Sequence, residues 1–173
     1  MNTCNSHPDQ QSCTSCHQTG DAKPNNRAST KASGIHFGPI DESFAEILGS
    51  EIYPLVYPDW QTSQQRELAE LADKPNVTMI VAEADFLVVG FVIVELNNET
   101  KVGELSMLAV HPDARRVGIG AKLNELALQI MRDAGMTLAE LGTGGDRAHA
   151  AARRSYERAG YTGAPLVRYY KAL

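Results

Sequence analysis

The chain has 173 residues, 43% of them hydrophobic and 21% charged, and a net charge of −5 at pH 7, which suits one soluble globular domain with a substantial core. No run approaches the ~20 apolar residues that a membrane helix needs, and the first forty residues hold no apolar leader segment, so a cytoplasmic location with no membrane partner is expected. Three cysteines, all within the first sixteen residues, exclude a disulfide framework for a domain that lies elsewhere.

Residues 1–34 are mostly Ser, Thr, Asn, Gln and Lys with almost nothing apolar to bury. They read as a flexible tail ahead of a domain spanning 35–173. The tail carries Cys4, His7, Cys13, Cys16 and His17. Cys13-Thr-Ser-Cys16-His17 matches the attachment signature of a c-type haem, but no export segment accompanies it. Thiolate and imidazole would suit zinc, yet a single CxxC lacks a second pair at finger spacing, so no metal is expected.

After the tail, Ile35–Gly38 reads as the start of a strand. Asp41-Glu42-Ser43 offers a helix cap ahead of Phe44, Ile47 and Leu48, with Pro54 and Pro58 interrupting. A second helix is predicted from about Thr62 to Ala72, closed by Lys74-Pro75. Val77–Ala84 and Leu87–Leu96 are strands rich in Val, Ile and Phe, and Glu104–Val110 is a third, stopped by His111-Pro112. Ile119, Leu123, Leu126, Ala127 and Ile130 form one stripe of a helix ending near Ala134-Gly135. A short strand at Leu138–Leu141, a helix from Ala148 to Ala159 closed by Gly160, and a last strand at Leu166–Tyr170 complete the order. Helices, then strands, then strand and helix alternating mean α+β or mixed α/β.

Charge is divided unevenly along these elements. Between 41 and 99 twelve acids face only Arg66 and Lys74, whereas between 101 and 173 eleven Lys and Arg face seven acids. Either both halves are solvated surfaces, or the second suits an anionic ligand and the first a cationic one. Neither has the basic, aromatic-interleaved stripe of a nucleic-acid binder, so no nucleic-acid partner is expected.

The chemistry concentrates where the third strand meets the third helix, in Val110-His111-Pro112-Asp113-Ala114-Arg115-Arg116-Val117-Gly118-Ile119-Gly120-Ala121. Glycines let the backbone approach a ligand and turn its N–H groups inward. The free N–H groups and positive dipole end of the helix favour a pyrophosphate, and Arg115 and Arg116 add fork-shaped donors for phosphate oxygens. As a bare pattern this is also what any glycine-bearing turn into a helix looks like.

Three stretches in register make the chain resemble the GNAT (GCN5-related N-acetyltransferase) superfamily over about 35–173. They are Leu108-Ala109-Val110-His111-Pro112-x-x-Arg115-x-x-Gly118-x-Gly120, the strand after it, and Ala152-Arg153-Arg154-Ser155-Tyr156-Glu157-Arg158-Ala159-Gly160-Tyr161. The resemblance implies a GNAT fold: a twisted, mostly antiparallel mixed sheet of about six to seven strands, flanked by about four helices. It also implies a bulge in the fourth strand and a V-shaped splay between strands four and five. The implied donor is acetyl-CoA, its pantetheine pairing with backbone at Leu108, Ala109 and Val110 and its pyrophosphate on N–H groups of Arg116, Val117, Gly118, Ile119, Gly120 and Ala121, with Arg115 alongside.

The same resemblance implies that Tyr156 points at the CoA sulfur, where a phenol can protonate the departing thiolate. Glu104, four residues before Leu108, matches a general-base Glu of some members; Glu95 is the second choice. Where the family often has Asn, this chain has His149, which can brace the cofactor site by a hydrogen bond, act as a base, or face solvent. The preceding Gly142-Thr143-Gly144-Gly145 suggests backbone passing close to cofactor or substrate.

The implied reaction is acetyl transfer to a primary amine by direct attack on the thioester. The acidic first half and Tyr53, Tyr57 and Trp60 favour a small or cationic acceptor, although these aromatics can equally serve packing. A protein lysine or N-terminal acetyltransferase shares the same donor chemistry, and a non-catalytic acyl-CoA-binding regulator is a reading of a different class. The reading leaves room for a homodimer.

Overall fold

The computed structural model describes residues 15–18, 40–59, 66–71 and 73–173; for 15–18 and 40–42 it describes the backbone alone. The described strands are β1 (Ser15–Gln18), β2 (Val77–Ala84), β3 (Leu87–Asn97), β4 (Val102–Val110) and β5 (Leu138–Glu140). They form one sheet in that order, antiparallel from β1 to β4 and parallel between β4 and β5. The helices are α1 (Ile40–Val56), α2 (66–71), α3 (Ile119–Asp133) and α4 (Ala150–Arg158). No described helix is long and apolar enough to cross a membrane.

Local chemistry makes the antiparallel meander. Asp85 and Phe86 both take positive φ, 50° and 65°, which gives the tight two-residue turn that matches strand twist. At the next turn the Asn97 carboxamide oxygen accepts from the N–H groups of Glu99 and Thr100, each at 3.0 Å, fixing the chain reversal through its own side chain. Alternation then sorts the strands onto two faces. One face carries Met79, Val81, Phe91, Ile93 and Ala109 beneath Leu68 of α2. The other carries Ile80, Ala82, Val92, Val94 and Leu105 beneath Ile119, Leu123, Ala127 and Met131 of α3.

α3 sits close to the sheet because two strand residues lack side chains. A Cβ on Gly90 would lie 3.2 Å from both Ile119 Cγ2 and Leu123 Cδ1, and one on Gly103 would lie 2.9 Å from Met131 Sδ. The helix stops in a tightened turn, with Gly135 N–H donating to the Arg132 carbonyl at 2.9 Å and Met136 N–H to that of Met131 at 2.9 Å, and Gly135 adopts φ 72°. This is the left-handed exit that the Ala134-Gly135 pair predicts.

Several elements depart from the sequence reading. α1 begins at Ile40, so Asp41-Glu42-Ser43 lies inside the helix rather than capping it, and the helix breaks at Gly49, where φ is 70° and ψ 174°. The expected strand at Leu166–Tyr170 does not form; residues 161–173 carry neither helix nor strand. Leu166 there is 94% exposed and Tyr169 88%, so the segment has strand-like composition but pairs with no strand among the described residues. Among the described residues the sheet has five strands. Ile35–Gly38 lies outside the described residues, as does most of the expected 1–34 tail. Within that tail Ser15–Gln18 pairs with Ile80–Glu83 on the outer edge of β2.

Candidate active site

The sheet opens beside β4. Its parallel ladder with β5 holds only Val102↔Leu138, Gly103↔Ala139 and Glu104↔Glu140, so among the described residues Leu105–Val110 has no strand neighbour on that side. On the other side Val94 pairs with Leu105 whereas Ile93 pairs with Met107, which leaves Ser106 as the extra residue of a bulge. A bulge bends and twists its strand, and here it falls just where the two strands part. The bulge expected in the fourth strand and the splay expected between strands four and five are both present. Ser106 was not foreseen: its hydroxyl is buried and has no hydrogen-bond partner among the described residues, an arrangement that costs free energy until a partner arrives.

At the far end of β4 the chain passes through a short 3-10 turn, Pro112–Ala114, and a loop into α3. Arg116 holds φ 67° and Gly118 φ 91°. A left-handed Gly is ordinary, but a left-handed Arg is a strained residue of the kind that clusters at ligand loops. Gly118 is the N-cap of α3, no side chain caps the helix, and its first turn has no acid. The N–H groups of that turn are therefore left to water or to an anion. Arg115, Arg116 and Val117 are exposed around it. Arg115 Nε donates to the Val110 carbonyl at 3.2 Å, tying the loop to the end of β4. Gly120 turns out to face protein: a Cβ there would meet Val110 Cγ2 at 3.6 Å and Leu108 Cδ2 at 3.8 Å, ordinary contact distances.

Outside that loop the predicted site residues divide into three groups. Leu108, Val110, Ile119 and Tyr156 pack in the cluster beneath α3, and Ala109 lies on the opposite face. The Tyr156 ring meets Tyr161 edge-on at 5.8 Å between centroids, and burial pushes its phenol above the ordinary 10.0. Its hydroxyl has no hydrogen bond among the described residues. Tyr161 in turn donates to Oδ1 of Asn124 at 3.3 Å. Asn124 is a 2%-exposed polar residue of α3 that ties the exit of α4 to the helix above the loop.

Glu104 belongs to a second group. Residues directly opposite share a face of a sheet, so Glu95↔Glu104↔Glu140 form a row of three carboxylates across β3, β4 and β5. The row lies on the face of Ile93 and Met107, opposite the cluster that holds Tyr156. Glu104 is exposed, while Glu95 bonds Lys74 Nζ and Asn76 Nδ2, both at 3.2 Å.

The third group centres on His149, the residue before α4. Its Nδ1 lies 2.5 Å from Oδ2 of Asp146, and Oδ1 of Asp146 accepts from Ser43 Oγ of α1 and from Ala148 N–H, both at 2.8 Å. Burial alone would push the Asp146 carboxyl upward, but the hydrogen bonds from Ser43 and His149 outweigh it and hold the group at about 2, below its usual 3.8. Arg153 Nη1 donates to the carbonyls of Gly144, at 2.5 Å, and Asp146, at 2.7 Å, bracing the loop. A Cβ at Gly144 would land on Asp146 Oδ2 and the His149 ring. The glycine stretch thus makes room for this pair at Gly144. Neither Asp146 nor Ser43 was legible in the sequence, because they lie 103 residues apart. Among the described residues no group of three His, Cys, Asp or Glu side chains could hold a metal, and the Cys and His side chains of residues 1–34 lie outside those described.

Residues 43–161 match the model of the Acetyltransferase (GNAT) family. An uncharacterized N-acetyltransferase of Archaeoglobus fulgidus (strain ATCC 49558) is 43% identical over 89 residues, 49% of this chain. The match spans only 58% of that relative's length. Aminoglycoside N-acetyltransferase AAC(6')-Iy, solved with CoA, superposes with a TM-score of 0.64 at 14% identity, covering 95% of this chain and 97% of its own. Aminoglycoside acetyltransferase meta-AAC0020 from an uncultured soil metagenomic sample, solved with sisomicin, gives 0.59 at 16% identity, covering 92% and 96%.

Proposed function

The chain belongs to the GNAT acetyltransferase family, and we propose that it moves an acetyl group from acetyl-CoA to the primary amine of a small cationic molecule. The observation that carries this reading is the continuity of one opening. The edge of β4 left unpaired among the described residues, released by the Ser106 bulge and the short β5 ladder, runs directly to the uncapped start of α3. An extended pantetheine can pair with Leu108, Ala109 and Val110 as an added strand, and its pyrophosphate then reaches the N–H groups of residues 116–121 and the guanidinium groups of Arg115 and Arg116. The two solved neighbours that carry CoA or an aminoglycoside support the choice of donor and of acceptor class.

Roles follow from position. Holding amine and thioester together lowers the barrier by avoiding the entropy of their encounter, and a backbone N–H at the end of β4, near Val110, can stabilise the tetrahedral oxyanion. Tyr156 keeps its proton because burial raises its phenol, so it can deliver that proton to the CoA thiolate as the C–S bond breaks. Glu104 presents an exposed carboxylate beside Glu140 and Glu95, which suits a cationic acceptor whether it attracts the ammonium or removes its proton.

Calorimetry with acetyl-CoA and a thiol-release assay over a panel of amines test this reading. Binding of acetyl-CoA and amine-dependent thiol release are expected; absence of binding at millimolar acetyl-CoA would overturn it. Glu104→Gln should raise KM for a cationic acceptor more than for a neutral one, and equal effects on both would remove Glu104 from the acceptor side.

A further inference from the structure

The loop between β5 and α4 builds a chemical pair that the roles above leave unused. The Asp146 side chain is 4% exposed, and an ionised carboxylate only accepts hydrogen bonds. Its contact with His149 Nδ1 therefore makes Nδ1 a donor, and in the neutral imidazole the lone pair then lies on Nε2. Nε2 has no hydrogen bond among the described residues, and the His149 side chain remains 15% exposed. The ring is fixed from two further directions: Phe44 of α1 meets it edge-on at 6.0 Å between centroids, and Ser43, one residue earlier, anchors Asp146.

Surroundings suit a cationic amine. Phe44 continues into Tyr57 at 5.8 Å, and Tyr57 into Tyr53 at 5.5 Å, a run of π-faces that attract a cation. The helix that carries Phe44 and Tyr53 has four acids, Asp41, Glu42, Glu46 and Glu51, and no Lys or Arg. Among the described residues Asp146 contacts the ring, and Arg153 from α4 braces the same loop with its Nη1 engaged by two carbonyls; beyond Phe44, Tyr57 has Tyr170 and Arg168 as its titratable and charged neighbours. His149 and Tyr156 are seven residues apart along α4, two turns and roughly 10 Å, and so share a face.

We propose that His149, oriented by Asp146, is the general base for the acceptor amine in the acetyl transfer proposed above, an inference that rests on that reading. Nε2 takes one proton from the acceptor ammonium and passes it to water. The freed lone pair forms the C–N bond at the thioester carbonyl. As the C–S bond breaks, Tyr156 protonates the sulfur, and its phenolate regains a proton from the newly acylated nitrogen. Asp146 is a positioning residue: it sets the tautomer and touches no reacting atom.

His149→Asn separates a base from a brace, because the Asn amide can still donate to Asp146 but cannot take a proton. With sisomicin or spermidine as acceptor, H149N should lose about 10²–10⁴-fold in kcat near neutral pH, keep its acetyl-CoA affinity by calorimetry, and lose little with aniline, which arrives neutral. Nitrogen-15 NMR of the full chain should show the His149 ring in its Nδ1–H form, and Asp146→Asn should abolish that preference. Full turnover by H149N, an equal loss with aniline, or an Nε2–H ring would each overturn the base assignment alone. Failure of the unaltered protein to acetylate any of these amines would overturn the functional reading and the base with it.

Discussion

Asp146 is the residue whose removal the structure prices most directly. Its carboxyl is held at about 2 against 3.8 in an unstrained setting, and each pKa unit is worth about 1.4 kcal/mol. The shift therefore links ionised Asp146 to about 2 kcal/mol of folding stability, with solvent near the loop trimming the full value. Because the folded value is the lower one, this stability is present above the unfolded value and is lost as pH falls toward the folded one. Asp146→Asn keeps the size and an acceptor for Ser43 and Ala148 but removes the charge. It should destabilise the protein by about 2 kcal/mol at pH 7, or roughly 4–8 °C in Tm for a domain of this size. Urea unfolding of both proteins should show that gap unchanged between about pH 7 and 5, then narrowing to near zero as the pH approaches about 2. A gap that ignores pH, or one below about 0.5 kcal/mol at neutrality, which is ordinary for a surface substitution, would refute the account of Asp146 as the loop's buried anchor.

Tyr156→Phe should lower the single-turnover rate by about 10²–10⁴-fold where proton transfer limits it, with acetyl-CoA affinity nearly intact; full turnover would make Tyr156 a packing residue. Gly118→Val places a β-branched residue at φ 91°, so calorimetry should show weakened acetyl-CoA binding as the start of α3 rearranges. Leu123 is fully buried between α3 and the sheet, and Leu123→Ala should cost about 2–5 kcal/mol in denaturant unfolding.

Most of the framework was legible along the chain. The apolar runs of β2 and β3, the alternation of β4 and the stripe from Ile119 to Ile130 are local periodicities, and local periodicity is what a sequence displays. The loop from Arg115 to Gly120 and the Tyr156 helix could be placed for the same reason, since each is one contiguous stretch whose spacing carries its geometry. The strand expected at Leu166–Tyr170 shows the limit of that reasoning: the composition is right, but a strand needs a neighbour to bond, and no composition supplies one.

What only the tertiary structure decided is which distant residues meet. The row Glu95, Glu104 and Glu140 depends on the register of three strands, and the bulge at Ser106 shifts that register by one residue in a run whose composition does not reveal it. Asp146 reads as an ordinary loop acid until α1 brings Ser43 to it and α4 brings His149. Gly144, one of three glycines in four residues, is singled out only by the carboxylate and imidazole that occupy the space of its missing side chain. Hydrogen bonds and close contacts depend on position to a fraction of an ångström, and those positions are set by how helices seat on the sheet, not by the neighbours a residue has along the chain.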